Sequence, residues 1–279
     1  MKRGLNRIIR VMDQAYGRDI SPYDETFLAK SIDRRLAAAG VKTFSAYGAY
    51  LSENRAEAEV LSDSLNISYS EFFRNPLTFA LMEQLILPDL VEKKSRNNRG
   101  EIRILVAGCA GGQEAYSIAI LAEEATAVRE DPVLCRIFAV DLSKTELARA
   151  QAGSYSTEDV GNVCLRRLNA CFSRRKNSFI VAPRIRKRVI FSLYDLLDKH
   201  TTSPPDSIFG DFDLVLCCNV LLYYRPETQR LILDKIRRCL SPGGYLVVGW
   251  TEHQIVKSAG GFRSAFPPAT VFRPTHKGG

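Results

Sequence analysis

The segment whose residue types and spacing point most directly to chemistry is Gly108-Cys109-Ala110-Gly111-Gly112-Gln113-Glu114-Ala115-Tyr116-Ser117, which follows the apolar run 102–107 and leads into a helical pattern. Glycine accepts backbone conformations closed to other residues and lets a ligand approach the main chain. A turn of this kind at the carboxyl end of a strand is where doubly wound α/β folds hold nucleotides. Spacing narrows the choice of nucleotide. Glycines at 108, 111 and 112 lack the Gly-x-Gly-x-x-Gly of dinucleotide folds, and no Gly-Lys-Ser/Thr follows as a P-loop requires. Asp141 ends the next apolar run, where a carboxylate can accept hydrogen bonds from two ribose hydroxyls. The combination favours adenosine without a pyrophosphate, which means S-adenosylmethionine. A glycine turn that serves only the fold is the alternative.

Other catalytic constellations are missing from the pattern. With three histidines, no Ser/His/Asp or Cys/His arrangement is evident. The seven cysteines (109, 135, 164, 171, 217, 218 and 239) show no Cys-x-x-Cys spacing. They read as reduced, mostly packed thiols, with neither a disulfide framework nor a metal site. At 279 residues, 46% hydrophobic and 25% charged, the chain is too apolar for disorder. No apolar run approaches the ~20 residues that span a bilayer, and residues 1–17 are interrupted by Arg3, Arg7, Arg10 and Asp13, so a cytoplasmic location is expected. Lys plus Arg (39) exceeds Asp plus Glu (31) by eight, and residues 166–188 hold nine basic residues and no acid. That segment accounts for the whole excess. It is either a solvated face or a dock for an acidic partner.

Elements must bring these residues together. The first ninety or so residues read as helices. Leu5, Ile8, Ile9 and Met12 recur at helical spacing, with Gly17 as a stop. Ser21 is the expected N-cap of the next helix, with Pro22 at its first position, Asp24 and Glu25 against the positive end of the dipole, and Gly40 as its close. Tyr47 and Leu51 belong to a shorter pattern, and Pro76 opens one carrying Leu77, Leu81, Met82 and Leu85. The polar, basic stretch 93–100 reads as a linker. Beyond it, the apolar runs 102–107, 136–140, 189–193, 212–218 and 245–250 alternate with helical patterns at 114–124, 144–151 and 227–240. Buried strands alternating with helices predict a doubly wound, mainly parallel α/β sheet. The expected organisation is an N-terminal all-helical domain over 1–92, a linker over 93–100, and an α/β domain over 101–279. A small inserted basic β subdomain is expected at about 165–188, with 178–181 and 184–188 forming a hairpin.

Five stretches, met at the expected places along the chain, resemble the motifs of the CheR-type chemotaxis receptor methyltransferases. They are Gly108 through Ile118 in the turn above, Val140-Asp141, Phe212-Asp213-Leu214-Val215-Leu216-Cys217-Cys218-Asn219-Val220-Leu221-Leu222-Tyr223-Tyr224, and Leu240-Ser241-Pro242-Gly243-Gly244-Tyr245. Upstream, Ser68-Tyr69-Ser70-Glu71-Phe72-Phe73-Arg74 looks like that family's cofactor-contacting Phe-Phe-Arg loop. The resemblance runs from about residue 20 to 275. It implies a sheet of the S-adenosylmethionine-dependent methyltransferase type and transfer of methyl to glutamate side chains on receptor helices, giving methyl esters. It further implies that Ser68, Ser70, Arg74, Gly108, Glu114, Asp141, Asp195, Leu196, Cys218 and Asn219 line the cofactor site, with Arg74 and Tyr223 facing the chemistry. Gln113-Glu114 stands where the family has paired glutamates, and Trp250-Thr251-Glu252 where it has His-Ser-Glu.

Such a reaction asks little of acid–base groups. A sulfonium methyl is already activated, and a glutamate with a pKa near ~4.3 is already ionised at neutral pH, so no general base is required. The protein must desolvate the carboxylate and align it. Arg74 can clamp one oxygen and Tyr223 can donate to it or pack beside the methyl; apart from the resemblance, an ordinary salt bridge and a core aromatic are the plainer readings. The expected partner is an acidic protein, the cytoplasmic helices of a chemoreceptor. A rival is a nucleic-acid methyltransferase docking the basic segment on phosphates. Against it, Asn219-Val220-Leu221-Leu222 replaces the Asn/Asp-Pro-Pro-Tyr that holds a flipped base, and Cys217-Cys218 lacks the preceding proline of cytosine-C5 enzymes. A non-catalytic S-adenosylmethionine sensor is a third reading, against which Arg74 and Tyr223 count. The basic insertion looks short and lacks the glycine-rich loop with which the family's insertion grips a tethering peptide. Diffuse attraction of an acidic surface to Arg174-Arg175-Lys176 and to Arg184, Arg186, Lys187 and Arg188 is expected instead, screened beyond ~8–10 Å at physiological salt.

Overall fold

The computed structural model describes residues 2–96, 100–127 and 133–275. Contacts divide the chain into two compact units. One holds the chain up to Ile67 together with Leu222–Gln229; the other covers Ser68–Leu221 and the chain from Arg230 onward.

The first unit is helical, with α1 (Lys2–Tyr16), α2 (Glu25–Ala38), α3 (Phe44–Glu53) and α4 (Arg55–Ser64). Apolar residues three and four apart send Leu5, Ile8 and Met12 of α1, Leu28, Ile32 and Leu36 of α2, Tyr47 and Leu51 of α3 and Leu61 of α4 into one core. Gly17 and Gly40, at φ +63° and +68°, follow α1 and α2 as expected. The start of α2 differs from expectation. Asp24 caps it in place of Ser21, its Oδ1 accepting the N–H groups of Thr26 at 2.9 Å and Phe27 at 3.0 Å. A carboxylate there also meets the positive end of the helix dipole, which a serine hydroxyl does not, so Pro22 is left outside the helix. The segment Leu222–Gln229 joins this unit through Tyr224, whose ring stacks on Tyr23 at 5.1 Å.

The second unit opens with α5 (Pro76–Leu81), a π-helical turn (Met82–Ile86) and α6 (Leu87–Arg96). Phe79, Met82, Ile86, Leu87, Leu90 and Val91 of this stretch are buried in the core of the sheet. The boundary between the units therefore falls at Ile67/Ser68, not at 92, and residues 93–96 of the expected linker are helix. Asn97, Asn98 and Arg99 of that linker lie outside the described residues. Its basic composition suits the last turn of α6, where cations meet the negative end of the dipole, and Lys94 also pairs with Asp213 at 2.9 Å.

The sheet is built from β1 (Glu101–Ala107), α7 (Gln113–Thr126), β2 (Leu134–Asp141) and α8 (Lys144–Ala152), then an insertion, then further strands and helices. The insertion comprises β3 (Ser154–Ser156), α9 (Leu165–Cys171), β4 (Phe172–Arg175), β5 (Ser178–Val181) and α10 (Pro183–Arg186). After it come β6 (Val189–Leu193), β7 (Phe212–Cys217), α11 (Pro226–Cys239), β8 (Leu240–Val248), α12 (His253–Ala259), β9 (Phe262–Ser264) and β10 (Val271–Pro274). Among the described residues seven strands pair in the order β6-β2-β1-β7-β8-β10-β9. Pairing is parallel from β6 through β8, and β10 is antiparallel to both neighbours. The doubly wound, mainly parallel sheet is as expected from the sequence.

The insertion departs from expectation in two ways. It forms an antiparallel sheet in the order β3-β5-β4, so it begins at Ser154 and not at 165, and β5 pairs with β4 instead of with 184–188. Pro183, which has no N–H to offer a strand ladder, starts α10. Its charge is also partly matched. Arg184 and Arg188 pair with Glu123 at 2.8 and 3.4 Å, and Arg166 and Arg167 with Glu124 at 3.2 and 2.7 Å. Of the cluster expected at 184–188, Arg184 and Arg188 are thus paired, whereas Arg174, Arg175 and Lys176 make no ion pair among the described residues.

In the helical unit Arg35 makes two hydrogen bonds to Glu57, at 2.9 and 2.7 Å, and the Tyr47 hydroxyl adds a third at 2.6 Å. The Arg35 hydrogen bonds, the largest cause, and the Tyr47 hydroxyl hold the Glu57 carboxyl below its usual 4.5. Stability from a lowered pKa is present above the unfolded value and is lost as pH falls through the folded one. Glu57→Gln is expected to cost about 1–3 kcal/mol at neutral pH in urea melts. The deficit should shrink on acidification below 4.5.

Candidate active site

β1 lies between β2 and β7, where the sheet changes its direction of growth. Open α/β sheets bind ligands beyond the carboxyl ends of the strands at such a point. The turn after β1 and the loop after β7 meet there: a Cβ on Gly108, whose φ is +70°, would lie 2.6 Å from Val220 Cγ2, so only glycine fits. The N–H groups of Gly108 and Cys109 donate to the Val140 carbonyl at 2.8 and 2.9 Å, fastening the turn to the end of β2. Asp141 continues this seam. Its Oδ2 accepts the Ala110 N–H and its Oδ1 the Ser143 N–H, both at 2.8 Å. Each oxygen keeps lone-pair capacity for a further donor. Tyr155 of the insertion donates to the Gly111 carbonyl at 2.6 Å.

The loop after β7 depends on Glu252, which is fully buried. Its Oε2 accepts the N–H groups of Asn219 and Gly249 and its Oε1 that of Leu221, each at 2.7 Å. Asn219 is held at φ +59°, in the left-handed region that asparagine tolerates better than most residues. Burial, the largest cause, pushes the Glu114 carboxyl in the first turn of α7 up to about 7, with a Cys218 hydrogen bond and the Arg74 charge opposing it and Glu252 adding to it. Burial likewise holds the Cys218 thiol well above its usual range, so it acts as a neutral donor to Glu114 and not as a thiolate.

The loop bearing Arg74 is pinned to α7 by the Phe73 N–H, which donates to Ser117 Oγ at 3.0 Å. Phe73 and Asn75 both have positive φ, +50° and +62°, so Arg74 sits between two left-handed residues. Its guanidinium lies 5.3 Å from the centroid of the Tyr69 ring and makes no ion pair among the described residues. Ser68 is exposed and Ser70 half-buried on the same loop. Asp195 and Leu196 follow β6, where the Tyr194 N–H donates to the Asp141 carbonyl at 3.2 Å and Asp195 Oδ1 accepts the Leu197 N–H at 2.8 Å. Tyr223 belongs to the helical unit, its ring 5.0 Å from that of Phe27 and its carbonyl accepting the Asp24 N–H at 2.8 Å.

Buried Gln113 Oε1 and Asn219 Oδ1 have no hydrogen-bond partner among the described residues, and with Asp141 and Glu114 they make a set of acceptors around a turn too tight for side chains. Ribose hydroxyls and an amino group are the complementary donors, and S-adenosylmethionine carries both.

Comparison with known proteins decides the family. The model for the CheR methyltransferase SAM binding domain matches residues 68–267, and that for the CheR methyltransferase all-alpha domain matches residues 3–65. The chain belongs to the CheR methyltransferase family. Chemotaxis protein methyltransferase 1 of Pseudomonas aeruginosa is 34% identical over 198 residues, 70% of this chain and 69% of that one. A chemotaxis protein methyltransferase of Listeria monocytogenes is 28% identical over 250 residues, 90% of this chain and 89% of its own. An uncharacterised 104.1 kDa protein of Rhodobacter capsulatus is 29% identical over 248 residues, and this chain spans a quarter of it, 25%. This CheR-family protein is accordingly an S-adenosylmethionine-dependent protein methyltransferase of the chemotaxis class. Among the described residues no helix is long and apolar enough to cross a membrane.

Three residues at this candidate site, Glu252, Gln113 and Tyr155, are not among those expected from the sequence. Glu252 was visible only as the acid ending a departure from the family pattern, Gln113 only as the other departure, and Tyr155 had no signal because it acts across the fold. Glu252→Gln puts an amide donor against a backbone donor. It is expected to destabilise the second unit by about 1.5–3 kcal/mol and to weaken cofactor binding as Asn219 relaxes, both read by calorimetry. Glu114, with its pKa raised, contributes stability that is complete below its ordinary 4.5 and lost as pH rises through about 7. The melting temperature of Glu114→Gln, compared with wild type without cofactor, should therefore improve as pH rises from 4.5 to past 7, and a flat difference would contradict the assignment.

Proposed function

We propose that this enzyme transfers methyl to glutamate side-chain carboxylates of an acidic, chemoreceptor-like protein in the cytoplasm. The observation that carries this reading is Arg74, a cation with no carboxylate partner among the described residues, on a loop fixed to α7 beside the glycine turn. An unmatched guanidinium at a methyl-transfer site suits an anionic acceptor, and a glutamate supplies one. The named relatives, chemotaxis protein methyltransferases, support the same acceptor class.

In this reading Gly108 gives the cofactor access to the backbone, Asp141 takes the ribose hydroxyls, and Glu114 and Asn219 accept from the amino-acid end. Ser68, Ser70, Cys218, Asp195 and Leu196 line the remainder. When bound, S-adenosylmethionine supplies a methyl group activated by its sulfonium charge. The chain's own residues need not move a proton, because the acceptor carboxylate is ionised at neutral pH. Arg74 orients one carboxylate oxygen and leaves the other to attack. Tyr223 donates to the acceptor or packs beside it, and the surrounding apolar residues exclude water. Arg174, Arg175 and Lys176 at the β4–β5 turn provide diffuse attraction for an acidic surface.

With labelled S-adenosylmethionine and a glutamate-rich receptor-helix peptide, the transferred label should be released as methanol by mild base, as a carboxyl ester requires. Label that withstands base would assign N-methylation instead. Arg74→Ala is expected to lower turnover on the order of tenfold or more, with folding stability held within about 0.5 kcal/mol.

A further inference from the structure

We propose that Tyr69 is a positioning residue for Arg74 and that the inserted subdomain holds Tyr69 in place, an inference that rests on the role given to Arg74 above. Tyr69 is 62% exposed, so its ring contributes little to the core. One face of that ring carries the Arg74 guanidinium, 5.3 Å from the centroid. Its hydroxyl donates to Glu71 Oε1, and Glu71 Oε2 accepts from Asn162 Nδ2 at 3.3 Å. Asn162 lies in the insertion, between β3 and α9. The insertion grips the same loop elsewhere: Phe72 meets Tyr155 of β3 edge-on at 4.9 Å and Phe172 of β4 at 5.5 Å, and the Arg167 guanidinium of α9 lies 5.0 Å from the Phe73 ring.

The physical need is clear from Arg74 itself. Left-handed Phe73 and Asn75 fix its backbone, yet its long side chain has several free torsions and makes no ion pair among the described residues to restrain it. A ring that attracts the guanidinium through its π face limits those torsions without neutralising the charge, which a salt bridge would do. The cation therefore stays available to an incoming acceptor. The chain of contacts from Asn162 through Glu71 and Tyr69 also makes the insertion a wall of the active site, beyond any part it has in docking.

The first measurement needs no cofactor. In the full-length protein, phenylglyoxal modification of Arg74, followed by peptide mass spectrometry, should be about two- to fivefold faster in Tyr69→Ala than in wild type. Tyr69→Phe, which keeps the ring but loses the bond to Glu71, and Asn162→Ala, which loses the far end of the same chain, should both fall between. The second measurement is turnover on the receptor-helix peptide: kcat should fall by a similar factor in Tyr69→Ala, with cofactor Kd and Tm unchanged. Tyr69→Ala should add no further loss in an Arg74→Ala background. Equal phenylglyoxal rates in wild type and Tyr69→Ala would overturn the proposal, as would additive losses in the double variant. If wild type makes no base-labile ester while the phenylglyoxal difference holds, the acceptor reading fails and the positioning of Arg74 stands.

Discussion

The sheet changes its direction of growth between β1 and β7, and the gap this opens beyond their carboxyl ends is the constraint on which the rest of the molecule depends. Two loops must turn there without filling it. After β1 the solution is glycine at 108 and 112, where a Cβ would lie 2.6 Å from Val220 and 2.8 Å from Ala150. After β7 the solution is a buried acid. Glu252 gathers the N–H groups of Asn219, Leu221 and Gly249 onto one carboxylate and so joins the loop to the end of β8. A desolvated charge is tolerated there because three backbone donors replace its water.

Around that gap the polar groups are arranged as acceptors, and the one cation is kept unmatched among the described residues that face it. Asp141 steadies the glycine turn through one oxygen and the loop after β2 through the other, and keeps capacity on both. Arg74 is displayed on a loop whose left-handed residues carry backbone strain, a conformation that persists only where surrounding contacts enforce it. Those contacts come from α7 and from the insertion, so the insertion is structural to the site as well as a basic surface.

Much of this was legible in the amino-acid sequence. Continuous apolar runs located the five parallel strands and period-3.6 patterns the helices between them, because strands buried on both faces must be apolar along their length. Glycines at 108, 111 and 112 and the acid at 141 marked the site, since only glycine permits such close approach. Where pattern reading failed, the cause was tertiary. Residues 93–96 looked like a linker because the solvent face of a helix end has a linker's composition, and Ser21 looked like a cap because nothing local ranked it below Asp24. Arg184 and Arg188 looked free because their partner, Glu123, is distant in sequence.

The sequence by itself determined the fold class, the family motifs, the glycine turn and the type of cofactor, all of which rest on local periodicity and on side-chain chemistry. Only the tertiary structure decided which residues act across elements. Glu252 organises a loop some thirty positions upstream, Tyr155 anchors Gly111, the insertion grips the Arg74 loop, and Tyr223 packs with the helical unit. No local pattern encodes such pairings, because a hydrogen bond between distant segments is selected by the packing of the elements that carry them.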